Sequence, residues 1–170
     1  MPEMRRLLTV QREDVRFIVE YYRNIPDTLK YEWQERERIE DEYYNGLKSK
    51  GEDGMPHSAS VGRPTERAGL KAAQDDAAGQ LERSKIRIKT LEADRQIIKD
   101  CIEDMNGKYK RVIFWKLIYE YSWGKISVKF ERPESTCRYW LDLALDRLGE
   151  ILEKDVVMLP ELVERASRAR

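Results

Sequence analysis

The chain has 170 residues, of which 32 are basic and 32 acidic; 38% of the sequence is charged and 41% hydrophobic. That charge density is well above the roughly 25% of an average globular chain and fits long solvated helices better than a compact alternating β fold. The longest apolar runs, such as Val112-Ile113-Phe114-Trp115, fall far short of the about 20 residues a membrane helix needs, and Arg5 and Arg6 precede no signal-like apolar core, so no membrane partner and a cytoplasmic location are expected.

Prolines and glycines punctuate the chain. A first helix is expected from Gln11 to Tyr22, with Val15, Ile18, Val19 and Tyr22 on one face. Asn24-Ile25-Pro26 is expected to end it, because Pro26 supplies no amide donor and crowds the preceding turn. Asp27 then caps a second helix running to about Lys48. Its apolar positions, Leu29, Trp33, Ile39, Tyr43 and Leu47, form a face sufficient to dock along one partner. Residues 49–63 are rich in Gly, Pro and Ser and read as a flexible loop containing a solvated His57.

Pro64-Thr65-Glu66 opens the longest element, with proline in the first turn and an acid facing the positive end of the helix dipole. From Leu70 through Ala73, Ala77, Leu81, Ser84, Ile88, Leu91, Arg95, Ile98 and Ile102 to Met105, apolar or small residues recur at spacings of three and four. This is a coiled-coil seam on a helix of ~60 Å at 1.5 Å per residue. An antiparallel hairpin with residues 27–48 is its simplest partner, and self-association is the rival. Arg95 favours the hairpin, since in a parallel dimer it would face its own copy.

Asn106-Gly107 ends that helix. Three further helices are expected: Lys108–Tyr121, Trp123–Phe130 and Pro133–Glu153. In the last, Cys137, Trp140, Leu141, Ala144, Leu148, Ile151 and Leu152 form a buried stripe. Trp115, Trp123 and Trp140 read as core aromatics rather than base-stacking platforms, and Cys137 as a small core residue. The tail beyond Val156 is short and interrupted by Pro160. The fold class is therefore all-α, a long helical hairpin or coiled coil followed by a C-terminal helix-turn-helix domain. Its expected divisions are 1–48, 49–63, 64–106, 107–154 and 155–170.

The net charge of zero hides an uneven distribution: residues 1–56 carry 10 basic and 13 acidic side chains, whereas 107–154 carry 10 basic and 7 acidic. In that basic segment, a helix, a short helix, a three-residue turn and a longer amphipathic helix follow one another. This is the order of a DNA-reading helix-turn-helix, although a purely structural bundle has the same pattern. For a reading helix, Glu134, Ser135, Arg138, Tyr139 and Asp142 are the exposed early positions. Arg138 and Ser135 are suited to base edges or phosphates, and Tyr139 to a backbone sugar. Lys125, Lys129 and Arg132 are placed for phosphate contacts. Two cysteines and one histidine make neither a disulfide scaffold nor a metal centre. There is no glycine-rich phosphate loop and no nucleophile beside a histidine, so neither catalysis nor a cofactor is expected.

Residues 109–152 resemble the C-terminal helix-turn-helix of sigma-factor region-four type. Ile118, Tyr121, Trp123, Ile126, Thr136, Cys137, Ala144, Leu145 and Leu148 stand at the matching positions. With the junction Ser58-Ala59-Ser60-Val61-Gly62-Arg63-Pro64-Thr65-Glu66, the layout over about residues 25–153 is similar to that of RinA/ArpU-type phage regulators. Pro133 departs from the usual cap serine, and Glu131 and Glu134 add acids at the helix start. The resemblance implies a sequence-specific regulator of phage or prophage late genes, reading double-stranded promoter DNA with residues 133–153. Its coiled coil would serve as a homo-oligomer seam or a surface for RNA polymerase. A phage terminase small subunit, acting in DNA packaging, and a structural coiled-coil interaction protein are the alternatives.

Overall fold

The structure, a computed structural model, describes residues 10–48 and 64–169. The loop expected over 49–63, with His57, lies outside these residues, and so do the side chains of Leu47 and Leu70. The described residues form six helices and no strand: α1 (Arg12–Lys48), α2 (Pro64–Glu103), α3 (Gly107–Ile113), α4 (Trp123–Phe130), α5 (Glu134–Asp155) and α6 (Leu159–Arg168). A π-helical turn, Phe114–Ile118, continues α3. The fold is all-α. It comprises two compact units, one of Met1–Pro26 with Glu92–Arg170 and the other of Asp27–Leu91.

The expected break at residues 24–26 does not occur: α1 runs through Pro26 without interruption. Proline removes one backbone bond and crowds the carbonyl four residues earlier. Pro26 itself is exposed, while Ile25 before it and Leu29 after it are buried. The sequence division between the two units falls at this proline. Asp27 accordingly lies inside a helix rather than at a cap.

In the Asp27–Leu91 unit, Leu29 and Ile39 of α1 and Ser84 and Ile88 of α2 are buried. Glu32 links the two helices, accepting from Ser84 Oγ at 3.4 Å and from Arg87 Nε at 3.0 Å. Trp33, expected on the apolar face, is 49% exposed, and Tyr43 is half-buried. Ala73 is exposed, and Ala77 and Leu81 are only half-buried, so the seam deepens toward Ser84 and Ile88.

The other unit has an aliphatic core. Val15, Ile18, Val19 and Ile25 of α1 are buried, as are Ile98 and Ile102 of α2, Val112 and Ile113 of α3, Ile126 of α4, and Leu141, Leu145, Leu148 and Leu152 of α5. Both α3 and α4 pack on α5. Gly149 lets α1 come close, since a Cβ there would stand 3.3 Å from Val15 Cγ2. Two positions differ by one residue from the expected stripes: Tyr21 rather than Tyr22 is buried on α1, and Asp94 rather than Arg95 on α2. The residues expected as a broken tail form α6, with Pro160 in its first turn, where a missing donor costs nothing. Leu159, Leu162 and Ala166 are its buried side.

Candidate nucleic-acid interface

Local chemistry sets the frame of α3, α4 and α5. Asn106 caps α3, its side chain accepting from the Lys108 amide at 3.2 Å. The π turn is closed by the Tyr119 amide donating to the Phe114 carbonyl at 2.8 Å. Glu120 then turns the chain with φ 53°, a left-handed conformation costly for a residue with a Cβ. Arg23 secures this corner, its Nη1 standing 2.5 Å from Glu120 Oε1 and 3.3 Å from the Leu117 carbonyl. Ser122 caps α4 by accepting from the Lys125 amide at 3.3 Å.

The turn into α5 is built like a helix stop. Glu131 is left-handed at φ 54°. The Arg132 amide donates to the Ser127 carbonyl at 3.1 Å and the Glu131 amide to Val128 at 3.2 Å. Those two bonds are the Schellman closure, with glutamate where glycine is usual. Ser127 Oγ donates to the Arg132 carbonyl at 2.6 Å and locks the turn from the α4 side. Pro133 starts α5 without a side-chain cap bond, as its sequence implies. The early turns of α5 rest on Cys137 and Leu141, and burial, then Glu134, pushes the Cys137 thiol pKa up, away from nucleophilic character.

Seven of the eight expected contact residues are exposed: Lys125, Lys129, Arg132, Glu134, Ser135, Arg138 and Tyr139. Arg138 is shared between Glu134, whose Oε2 is 3.4 Å away, and the ring of Trp123, whose centroid is 5.1 Å from its Cζ. Asp142 stands apart from this group. It is half-buried and lies in the field of Arg12, the α1 residue that also bonds Asp146 through Nη2 at 2.6 Å.

A set of cation–ring contacts, with Lys108 and Lys116 among their cations, escaped the sequence reading. Trp115, Trp123 and Trp140 are half-buried at the rim of the core, and each carries a cation. Lys125 Nζ sits 3.6 Å from the centroid of Tyr121. Lys129 Nζ is 5.2 Å from Trp115, Lys116 Nζ 5.0 Å from Trp123, and Lys108 Nζ 4.7 Å from Trp140. Among the described residues, these four lysines enter no ion pair. The available signal was the interleaving of lysines and aromatics between Lys108 and Trp140, which spacing alone cannot turn into pairings.

Elsewhere little converges. An open groove of about 550 Å³ along α1 is lined by Lys30, Trp33, Gln34, Arg36, Glu37 and Glu40, of which Arg36 and Glu40 are paired with each other at 2.8 Å. Among the described residues no three His, Cys, Asp or Glu side chains are grouped to hold a metal ion, and no helix is long and apolar enough to cross a membrane. No protein-family model matches the chain, and comparison with curated proteins and with solved structures finds no match.

Proposed function

We propose that this protein is a non-catalytic, sequence-specific regulator that binds double-stranded DNA through a helix-turn-helix made of α4, the 131–133 turn and α5, with α5 as the reading helix. One observation carries the reading: the first two turns of α5 bury Cys137 and Leu141 yet leave Ser135, Arg138 and Tyr139 exposed, beside Lys125, Lys129 and Arg132, which also face solvent. A groove reader needs this division of one helix between a buried stripe and a polar leading edge. The resemblance to RinA/ArpU-type phage regulators supports a role at late-gene promoters in the host cytoplasm. In this reading the long helices pair as a hairpin whose outer face serves RNA polymerase or a second copy.

Recovery of genomic fragments by the purified protein tests the reading. Enrichment of a late-operon promoter is expected, and Arg138→Ala should weaken that site by ~1–3 kcal/mol while relaxing preference at one position. Retention of full specific binding by Arg138→Ala would remove α5 from the role of reader. Enrichment beside a terminase gene, with a ring-shaped oligomer by mass, would move the protein to DNA packaging. No enrichment at all would leave a structural bundle.

A further inference from the structure

We infer that the cations and rings running along α3 and α4 form a track for the sugar–phosphate backbone of nucleic acid, extending the α5 contact onto Lys108 and Lys116. The inference takes its partner from the DNA-binding reading and adds residues and a physical role that reading does not contain.

The contacts are continuous. Lys108 stands over Trp140, whose ring meets Phe130 at 5.3 Å, and Phe130 meets Trp115 at 4.6 Å. Trp115 carries Lys129, which shares the Tyr121 ring with Lys125 at 5.8 and 3.6 Å. Lys116 Nζ donates to the Tyr121 carbonyl at 3.2 Å and stands over Trp123, the ring that also carries Arg138. The series thus ends at the leading edge of α5.

Its chemistry differs from that of the arginines on the long helices. Arg36 and Arg38 are neutralised by Glu40, Glu35 and Glu42. A carboxylate partner fixes a cation but cancels its field. A ring attracts the cation through its quadrupole and carries no net charge, so each ammonium, exposed at Lys125 and Lys129 and half-buried at Lys108 and Lys116, is held in place with its charge intact. A lysine that sits on no ring instead loses its rotamer freedom when a ligand immobilises it. Cations that are ordered and uncancelled suit a polyanion with regularly spaced charges.

The test is titration of the full chain against a duplex of about 20 base pairs that lacks any preferred site, read by fluorescence anisotropy across a salt series. Lys108→Ala with Lys116→Ala should lower the slope of log K against log salt by about 1.8, two contacts at about 0.9 each. Lys110→Ala with Arg111→Ala, which removes cations of α3 that sit on no ring among the described residues, should leave the slope unchanged. Trp123→Leu keeps every charge, so its slope should hold while affinity falls about two- to tenfold at each salt, the cost of ordering a long side chain on binding; Trp123→Phe should restore it. Should Trp123→Leu melt early, Tyr121→Leu makes the same comparison beneath Lys125 and Lys129. An unchanged slope in the Lys108 and Lys116 double variant overturns the track, as does competition by poly-glutamate equal to that of duplex at matched charge. A slope that falls in the Lys108 and Lys116 double variant, without recovery of any specific site, would sink the regulator reading and leave the track standing. Absence of duplex binding by the unaltered chain would end both.

Discussion

Arg165 of α6 holds Asp94 of α2 with two nitrogens at once, Nε at 2.7 Å and Nη2 at 2.6 Å, where Asp94 is 2% exposed. Tyr21 of α1 completes the site, its hydroxyl donating to Asp94 Oδ2 at 2.9 Å. Burial first, and then the bond to Asp94, raise the Tyr21 phenol pKa, and the same carboxylate raises that of Arg165. Three helices are thereby joined at one buried carboxylate, a polar tie beside the buried Leu159, Leu162 and Ala166 of α6.

Removing one partner of such a pair leaves a buried charge without compensation, which costs about 3 kcal/mol or more. Arg165→Met should therefore lower the free energy of unfolding in urea by about that amount and release α6 to rapid amide exchange. Asp94→Leu combined with Arg165→Met should recover part of the loss, since an apolar pair replaces the ionic one while the buried Tyr21 hydroxyl loses its acceptor. A double variant no more stable than the single would show that the pair itself stabilises the fold.

Glu131 pays a conformational penalty that glycine would not. Glu131→Gly should raise stability by up to about 1 kcal/mol, measured as a higher Tm. On the DNA-binding reading the change also removes an acid from the turn beside Arg132, so affinity for non-specific duplex should rise at low salt. Glu120→Gly relieves a similar backbone at φ 53° but forfeits the ion pair with Arg23, so its gain should be smaller. Lower Tm for Glu131→Gly would mean that the glutamate side chain stabilises the turn.

Ile88 is 3% exposed within a single chain. Ile88→Asp places a charge at that point and should cost more than about 3 kcal/mol, with an unfolding midpoint independent of protein concentration. A variant that stays folded as a clean monomer would show that the stripe is a seam between chains.

Cys101 supplies a pH dependence. Burial above all, followed by Asp155, Asp104 and Asp100, pushes its pKa from 9.0 up to about 11. A raised value in the folded state means that the unfolded chain loses its thiol proton first as pH rises. The associated stability is thus complete below pH 9 and declines between 9 and 11. Urea unfolding at stepped pH should show this decline, and Cys101→Ala should flatten it. At pH 9 the folded protein should also resist alkylation at this position far longer than the unfolded chain.

The sequence periodicities were informative where one segment sufficed to decide the structure. The helical spacing of α5, the Asn106 and Ser122 boundaries and the stop after Phe130 all follow from side chains within a few residues of each other. On α2 the spacing was ambiguous at one point: both 91, 94, 98 and 91, 95, 98 alternate three and four, and both middle residues are charged. Arg165, 71 residues away, resolves it in favour of Asp94, and Asp94 in turn draws Tyr21 rather than Tyr22 inward. The exposed candidates on α4 and α5 were legible as polar positions opposite a buried stripe. The cation–ring pairings were not, because they join α3, α4 and α5.

Residue order alone makes the chain helical, marks where most helices begin and end, and sets which face of α5 is apolar, because capping and amphipathic periodicity act over single turns. Tertiary structure alone decided that α1 continues through Pro26, that a carboxylate lies at the centre of the core, and that the tryptophans stand at its rim beneath lysines. A buried charge is tolerated only where its partners arrive, and here they arrive from helices distant in sequence.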